Sequence, residues 1–150
     1  MASIAVQREA FDAAAATAAL TDGRTDVGAV VTFTGLCRDE AGTLDALEIE
    51  HYPGMAEAEI ARVAADAEAR WPLLGVQIIH RYGTILPGEQ IVLVVTASAH
   101  RDAAFAAADF LMDYMKTRAP FWKREHRRDG PTGDWVEAKD KDAAAAARWL

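Results

Sequence analysis

Between Gln90 and Ala99 the chain reads QIVLVVTASA, ten residues without a charge and rich in β-branched side chains. A run of that kind fits a strand covered on both faces, and it anchors a sheet wherever it occurs. VGAVVTFTG (Val27–Gly35) reads the same way. LDALEIEHY (Leu44–Tyr52) alternates and suits a strand with one wet face. GVQIIHRYG (Gly75–Gly83) is a further strand, and the Pro-Gly turn in ILPGEQ leads from it towards Gln90. So short a connection favours antiparallel pairing.

Two helical patterns separate these strands. In MAEAEIARVAADAEARW, Ile60, Val63, Ala64, Ala67 and Trp71 fall at helical spacing, with Pro53–Gly54 before them and Pro72 after. DAAFAAADFLMDYMKTR (Asp102–Arg118) is the second helix, with Asp102 as its expected N-cap. A helix must end before Pro120, so the residues beyond it are expected to form an irregular or hairpin tail. DGPTG reads as a turn, and the last ten residues as a short helix. The first twenty residues give little beyond alanine-rich helix propensity. These patterns predict one α+β domain over residues 1–150, a sheet layer packed against helices.

Composition narrows the function. The chain has 150 residues, a net charge of −7 and a single cysteine. The length supports a core without disulfides, and one cysteine cannot form an internal bridge, which points to a reducing, cytoplasmic setting. The amino terminus lacks the pattern of a signal peptide. No stretch approaches the roughly 18 apolar residues of a membrane span. An acidic chain argues against nucleic acid and anionic membranes as partners.

Against that acidic background, APFWKREHRRDG (Ala119–Gly130) gathers Lys123, Arg124, His126, Arg127 and Arg128 around two aromatics. Three stretches suggest an anion site. In TGLCRDE, Arg38 follows a strand in a loop, where a plain polar role is the ordinary one. Cys37 beside it reads as a small apolar filler or as a reactive thiolate. In SAHRDAAF, His100 and Arg101 sit where a strand meets a helix, a place that favours anions, although solvated side chains would also fit. Lys116 continues the helical stripe Phe105–Asp109–Met112, which suits either a snorkelling lysine or one used for proton transfer or nucleophilic work. The histidines His51, His80, His100 and His126 lack metal-ligand spacing, and no phosphate- or dinucleotide-binding glycine motif occurs. The residues therefore call for no metal and no cofactor. They point to a cationic pocket for a small phosphorylated ligand.

The wording of several segments carries a resemblance. GAVVTFTGLCRDE, LEIEHYPGMAEAEI, IIHRYG, LPGEQIVLVVTASAHRDAAF and DYMKTRAPFWKRE followed by DWVEAK resemble the large, catalytic subunits of molybdopterin synthase, the MoaE family. The resemblance runs from about Val27 to Lys139. It implies an α/β hammerhead-type two-layer fold with an added antiparallel β subdomain. It implies conversion of cyclic pyranopterin monophosphate to molybdopterin. The two sulfurs would come from the C-terminal thiocarboxylate of a small ubiquitin-like subunit, in a heterotetramer built on a dimer of large subunits. It also implies site residues: Lys116 and Lys123 as catalytic, and Leu36, Cys37, Arg38, His100, Arg101, Arg124 and Glu125 in substrate binding. Leu36 stands where a basic residue is common, Cys37 where an aliphatic one is, and Lys139 where an arginine reaching across the dimer is. A non-catalytic binding module for a phosphorylated pterin or nucleotide is the alternative, and a scaffold docking an acidic tail a third.

Overall fold

The computed structural model describes residues 2–118, 120–136 and 140–150. In chain order its elements are β1 (Ala2–Gln7), α1 (Ala13–Thr21), β2 (Ala29–Leu36), β3 (Leu44–His51), α2 (Met55–Arg70), β4 (Leu73–Arg81), β5 (Gly83–Ile85), β6 (Gln90–Ser98), α3 (Arg101–Arg118), β7 (Phe121–Arg127) and α4 (Asp140–Ala147). Lys139 lies outside the described residues.

Four strands make the larger sheet, in the order β1-β4-β6-β2. The uncharged run at Gln90 becomes β6, central and antiparallel to both neighbours, buried from Val92 through Ser98. The short turn after Leu86 reverses the chain, and β4 pairs antiparallel with β6, as so brief a connection requires. Helices α2 and α3 cover one face: Ile60, Val63, Phe110 and Leu111 pack on Val76, Ile78 and Val94. Helix α1 covers part of the other, where Phe11 and Ala16 meet Ile79, Leu93 and Val95.

Two expectations change here. The Val27 run is not buried on both faces: β2 is an edge strand bonded only to β6, and Phe33 on it is 42% exposed. An apolar run reports the face against the core and cannot report a missing neighbour strand. The amino-terminal segment also does more than expected, because β1 pairs in parallel with β4 and sets Ile4 and Val6 against the main core.

Helix ends follow local chemistry. Asp12 caps α1, its carboxylate accepting from the Ala15 N–H at 3.0 Å. Gly54 adopts φ 84° before α2, and its N–H donates to Glu57 at 3.0 Å. Helix α3 begins at Arg101, one residue earlier than expected. Asp102 therefore lies in its first turn, where negative charge favours the dipole, and is not the cap.

The second sheet, β5-β3-β7, is antiparallel and closes over Cys37, Leu44, Ile49 and Ile85. Its third strand is the basic cluster. The segment is a regular strand: β7 pairs with β3, placing Arg124 opposite Glu48 and Lys123 opposite Ile49, and the chain beyond it folds back as the expected hairpin, with Val136 bridging antiparallel to Lys123. Opposite charges facing each other across a ladder stabilise that register.

One glycine is required by close approach. A Cβ on Gly28 would lie 2.1 Å from the carbonyl oxygen of Ala99, backbone that cannot swing aside. Gly28→Ala should cost about 2–3 kcal/mol, or roughly 5–10 °C in Tm. Thermal unfolding followed by circular dichroism checks this, and an unchanged Tm would mean the β2–β6 entrance can part freely.

Candidate active site

Where the two sheets meet the carboxyl end of α3, a cavity of about 570 Å³ opens. Its wall is apolar: Phe33 of β2, Leu44 and Leu47 of β3, Ile91 of β6, and Met112 and Met115 of α3. Its charged lining comes from separate parts of the chain. Arg38 arrives from the loop after β2, Lys116 from the last turn of α3, and Lys123, Arg124, Glu125 and Arg127 from β7. Leu36 and Cys37 line it as well. Seven of the residues singled out in the sequence thus surround one space: Leu36, Cys37, Arg38, Lys116, Lys123, Arg124 and Glu125.

The cations differ in how they are held. Lys116 is exposed, and the stripe it continues faces outward, with Phe105 62% exposed; an apolar enclosure does not surround this lysine. Lys123 is fixed through its backbone, its N–H donating to Val136 at 3.1 Å and its carbonyl accepting from the Val136 N–H at 2.6 Å. Arg124 is held firmly. Its Nε donates to Glu48 Oε1 at 2.8 Å, and its guanidinium lies 4.4 Å from the Trp135 ring centre. His126 Nε2 donates to the same Glu48 oxygen at 2.9 Å, so His126 is bound rather than solvated. These two donors, His126 foremost, hold the Glu48 carboxyl below its ordinary value. Arg38, on the rim, pairs with Glu40 at 2.6 Å, while Arg127 stands 3.9 Å from Glu125.

Cys37 is 3% exposed and packs with Leu44, Ile49 and Ile85. Burial first, then the carboxylates of Glu89, Asp39 and Glu125, raise its thiol above the ordinary value, which keeps it protonated. It is the apolar filler.

His100 and Arg101 lie elsewhere. Both are exposed at the amino end of α3, in an open pocket of about 400 Å³ with Gly28, Ala99 and Asp102. At about 1.5 Å rise per residue, α3 separates Arg101 from Lys116 by roughly 22 Å. Sequence proximity to a strand end suggested one site, but the length of the helix divides it in two within a chain.

One lining residue was passed over in the sequence. His80, on β4, is 6% exposed and borders the cavity. Its ring stacks on Phe121, centroids 3.8 Å apart and planes 14° from parallel. Its Nδ1 stands 2.7 Å from the Arg81 carbonyl, which can only accept, so Nδ1 carries the proton. Burial above all, with Lys123, Lys116 and His51 nearby, lowers His80 to about 3, and it is neutral. The signal was legible: two-residue periodicity puts His80 on the face of Val76 and Ile78, towards α3.

Comparison with known proteins now decides the family. The family model described as MoaE protein matches residues 6–118. A molybdopterin synthase catalytic subunit from Mesorhizobium japonicum is 69% identical, over 98% of this chain and 92% of that one. This chain belongs to the MoaE family. A Pseudomonas aeruginosa protein of the same description is 50% identical, covering 98% of both. Among solved structures, the MoaE protein of Burkholderia ambifaria superposes with a TM-score of 0.85 at 47% identity, over 99% of this chain and 98% of that one. Molybdopterin synthase from Staphylococcus aureus gives 0.79 at 29%, over 87% and 94%. The expected MoaE architecture, a helix-backed sheet with an added antiparallel subdomain, is the one found. In MoaE terms, the cavity lies between those two parts.

Proposed function

We propose that this chain is the catalytic subunit of a molybdopterin synthase, a sulfurtransferase. It would convert cyclic pyranopterin monophosphate to molybdopterin with sulfur from a thiocarboxylated ubiquitin-like subunit. The observation that carries this is the convergence of Lys116 and Lys123, from a helix end and a distant strand, on one half-apolar cavity in a MoaE chain. An apolar wall suits a heterocycle and a flexible peptide tail, and the lysines suit the charge that develops as sulfur is transferred.

Each transfer begins with the thiocarboxylate sulfur attacking a substrate carbon. That step forms a C–S bond as the carbon's bond to oxygen breaks, the oxygen leaving with the electron pair and taking a proton from Lys116, and it leaves the sulfur joined to the partner's acyl carbon. Water, or the amine of Lys116, then attacks the acyl carbon and breaks its bond to sulfur. The product keeps the sulfur as a thiolate, and the partner leaves as a carboxylate or passes briefly through an amide on Lys116. Lys116 serves as general acid and base, and Lys123 stabilises the oxyanion of the acyl adduct. Arg38 is placed to meet the phosphate at the rim. Arg124, already engaged by Glu48 and Trp135, shapes the wall more than it captures an anion. His100 and Arg101 can contribute only across the dimer of large subunits that the family resemblance implies. Lys139 belongs to the same cross-dimer proposal.

A cytoplasmic location fits a single buried thiol, and no helix among the described residues is long and apolar enough to cross a membrane. Reconstitution tests the function: the purified chain, cyclic pyranopterin monophosphate and a thiocarboxylated small subunit should yield molybdopterin, detected as its fluorescent oxidised derivative. Substrate binding without product would favour a non-catalytic pterin-binding module.

A further inference from the structure

The side chains around the cavity fall into three chemical kinds. Arg38, Lys116, Lys123, Arg124 and Arg127 are cationic side chains, which in their charged forms can only donate hydrogen bonds. Glu40, Glu125 and Asp134 accept, but each adds a negative charge. The remaining lining is hydrocarbon, sulfur or glycine, with one exception. Among the described residues, His80 is the sole lining side chain with a neutral nitrogen or oxygen.

Its geometry makes that exception specific. The Arg81 carbonyl takes the Nδ1 proton at 2.7 Å, so Nε2 holds a lone pair. The stack on Phe121 sets the ring plane, and the hydrogen bond forbids a flip. Nε2 has no hydrogen-bond partner among the described residues, and His80 as a whole is 94% buried. The ring borders the cavity, so that is the space its free lone pair meets. His80 also lies deep, stacked on the wall residue Phe121, whereas Arg38 and Lys116 are exposed at the mouth.

We propose that His80 is a substrate-contacting specificity residue, whose Nε2 accepts a hydrogen bond from a ring N–H of the pterin and so orients the heterocycle inward. This rests on the reading of the cavity as a pyranopterin site. A fixed neutral acceptor suits a ligand that also bears a phosphate. It recognises an N–H without placing a second negative charge beside that phosphate, as a carboxylate would. It rejects a ring that presents a lone pair there, since two acceptors would face each other unpaired. The phosphate end is thereby directed to the cationic mouth, where sulfur must arrive.

The experiment combines a spectroscopic and a kinetic reading. Protein labelled with ¹⁵N at histidine is titrated with cyclic pyranopterin monophosphate alone, the His80 signals being assigned by their loss in His80→Phe. The Nε2 resonance should move upfield on saturation, as expected for an unprotonated nitrogen that gains a donor. In the reconstituted synthase, His80→Phe keeps the stack on Phe121 and should raise KM about tenfold with kcat changed less than threefold. A wild-type enzyme that turns over while Nε2 stays still, or a His80→Phe variant with unaltered KM, overturns the assignment and leaves the function intact. A wild-type chain that neither binds nor converts the pterin removes both.

Discussion

Lys116→Ala should reduce molybdopterin formation by about 10²–10³-fold while leaving Tm within roughly 1–2 °C of the parent. The side chain is exposed at the last turn of α3, and alanine is a better helix former than lysine, so little stability depends on it. The two possible contributions of the residue separate through a second variant. Lys116→Arg keeps the positive charge at the cavity mouth but cannot release a proton near neutrality. Recovery of most of the rate in Lys116→Arg would assign the residue to electrostatics alone. A variant as inactive as alanine would support proton transfer or transient acylation. Full activity in Lys116→Ala would remove Lys116 from the mechanism. Single-turnover assays with the thiocarboxylated partner in excess measure these outcomes without interference from product release.

Acid should destabilise the protein through one buried ring. His80 titrates at about 3 when folded and near 6.5 when unfolded. Between those values the unfolded chain binds a proton that the folded one refuses, so stability rises with pH across that window. The contribution is complete above about pH 6.5 and is lost progressively as the pH falls towards 3. Its size is of the order of 3–5 kcal/mol. Urea unfolding at pH 7.5 and 4.5 should show a large fall for the parent and a clearly smaller one for His80→Phe, which has no proton to gain. Carboxylates such as Glu48, whose partners also hold it below its ordinary value, titrate in both proteins and cancel in the difference. Equal pH dependence in the two would mean that the histidine takes up its proton in the folded state.

Some of this molecule was readable from local chemistry. The Gln90 run needed only its lack of charge and its β-branched residues to be read as a buried strand, and Pro53–Gly54 and Pro72 bracketed α2 correctly. Cys37 was legible as filler because a lone cysteine at a strand end usually behaves as a small buried hydrophobe. What escaped notice depended on distant partners. The edge position of β2 is a fact about a strand that is not beside it. The basic cluster became β7 because β3 offers Glu48 and Ile49 at matching positions, and no window around Lys123 contains that information. His100 and Arg101 shared a plausible anion chemistry with Lys116, but grouping them ignored an 18-residue helix between. His80 lay in plain view at strand spacing, and was weighed only as a metal ligand.

The pairing of β3 with β7 also bears on how the protein is made. It joins residues roughly 70 to 80 positions apart, and Val136 then adds a local latch onto Lys123. Contacts of such long range form slowly, after the loop entropy between them has been overcome. On the ribosome, β3 waits without its β7 partner until almost the whole chain has emerged, while β2, β4 and β6 can already zip together. Until β7 docks, Cys37, Leu44 and Ile49 lack part of their cover, and they offer apolar surface to chaperones or to other nascent chains. The part of the molecule that holds the cavity is therefore the last to be completed and the most exposed to misassembly.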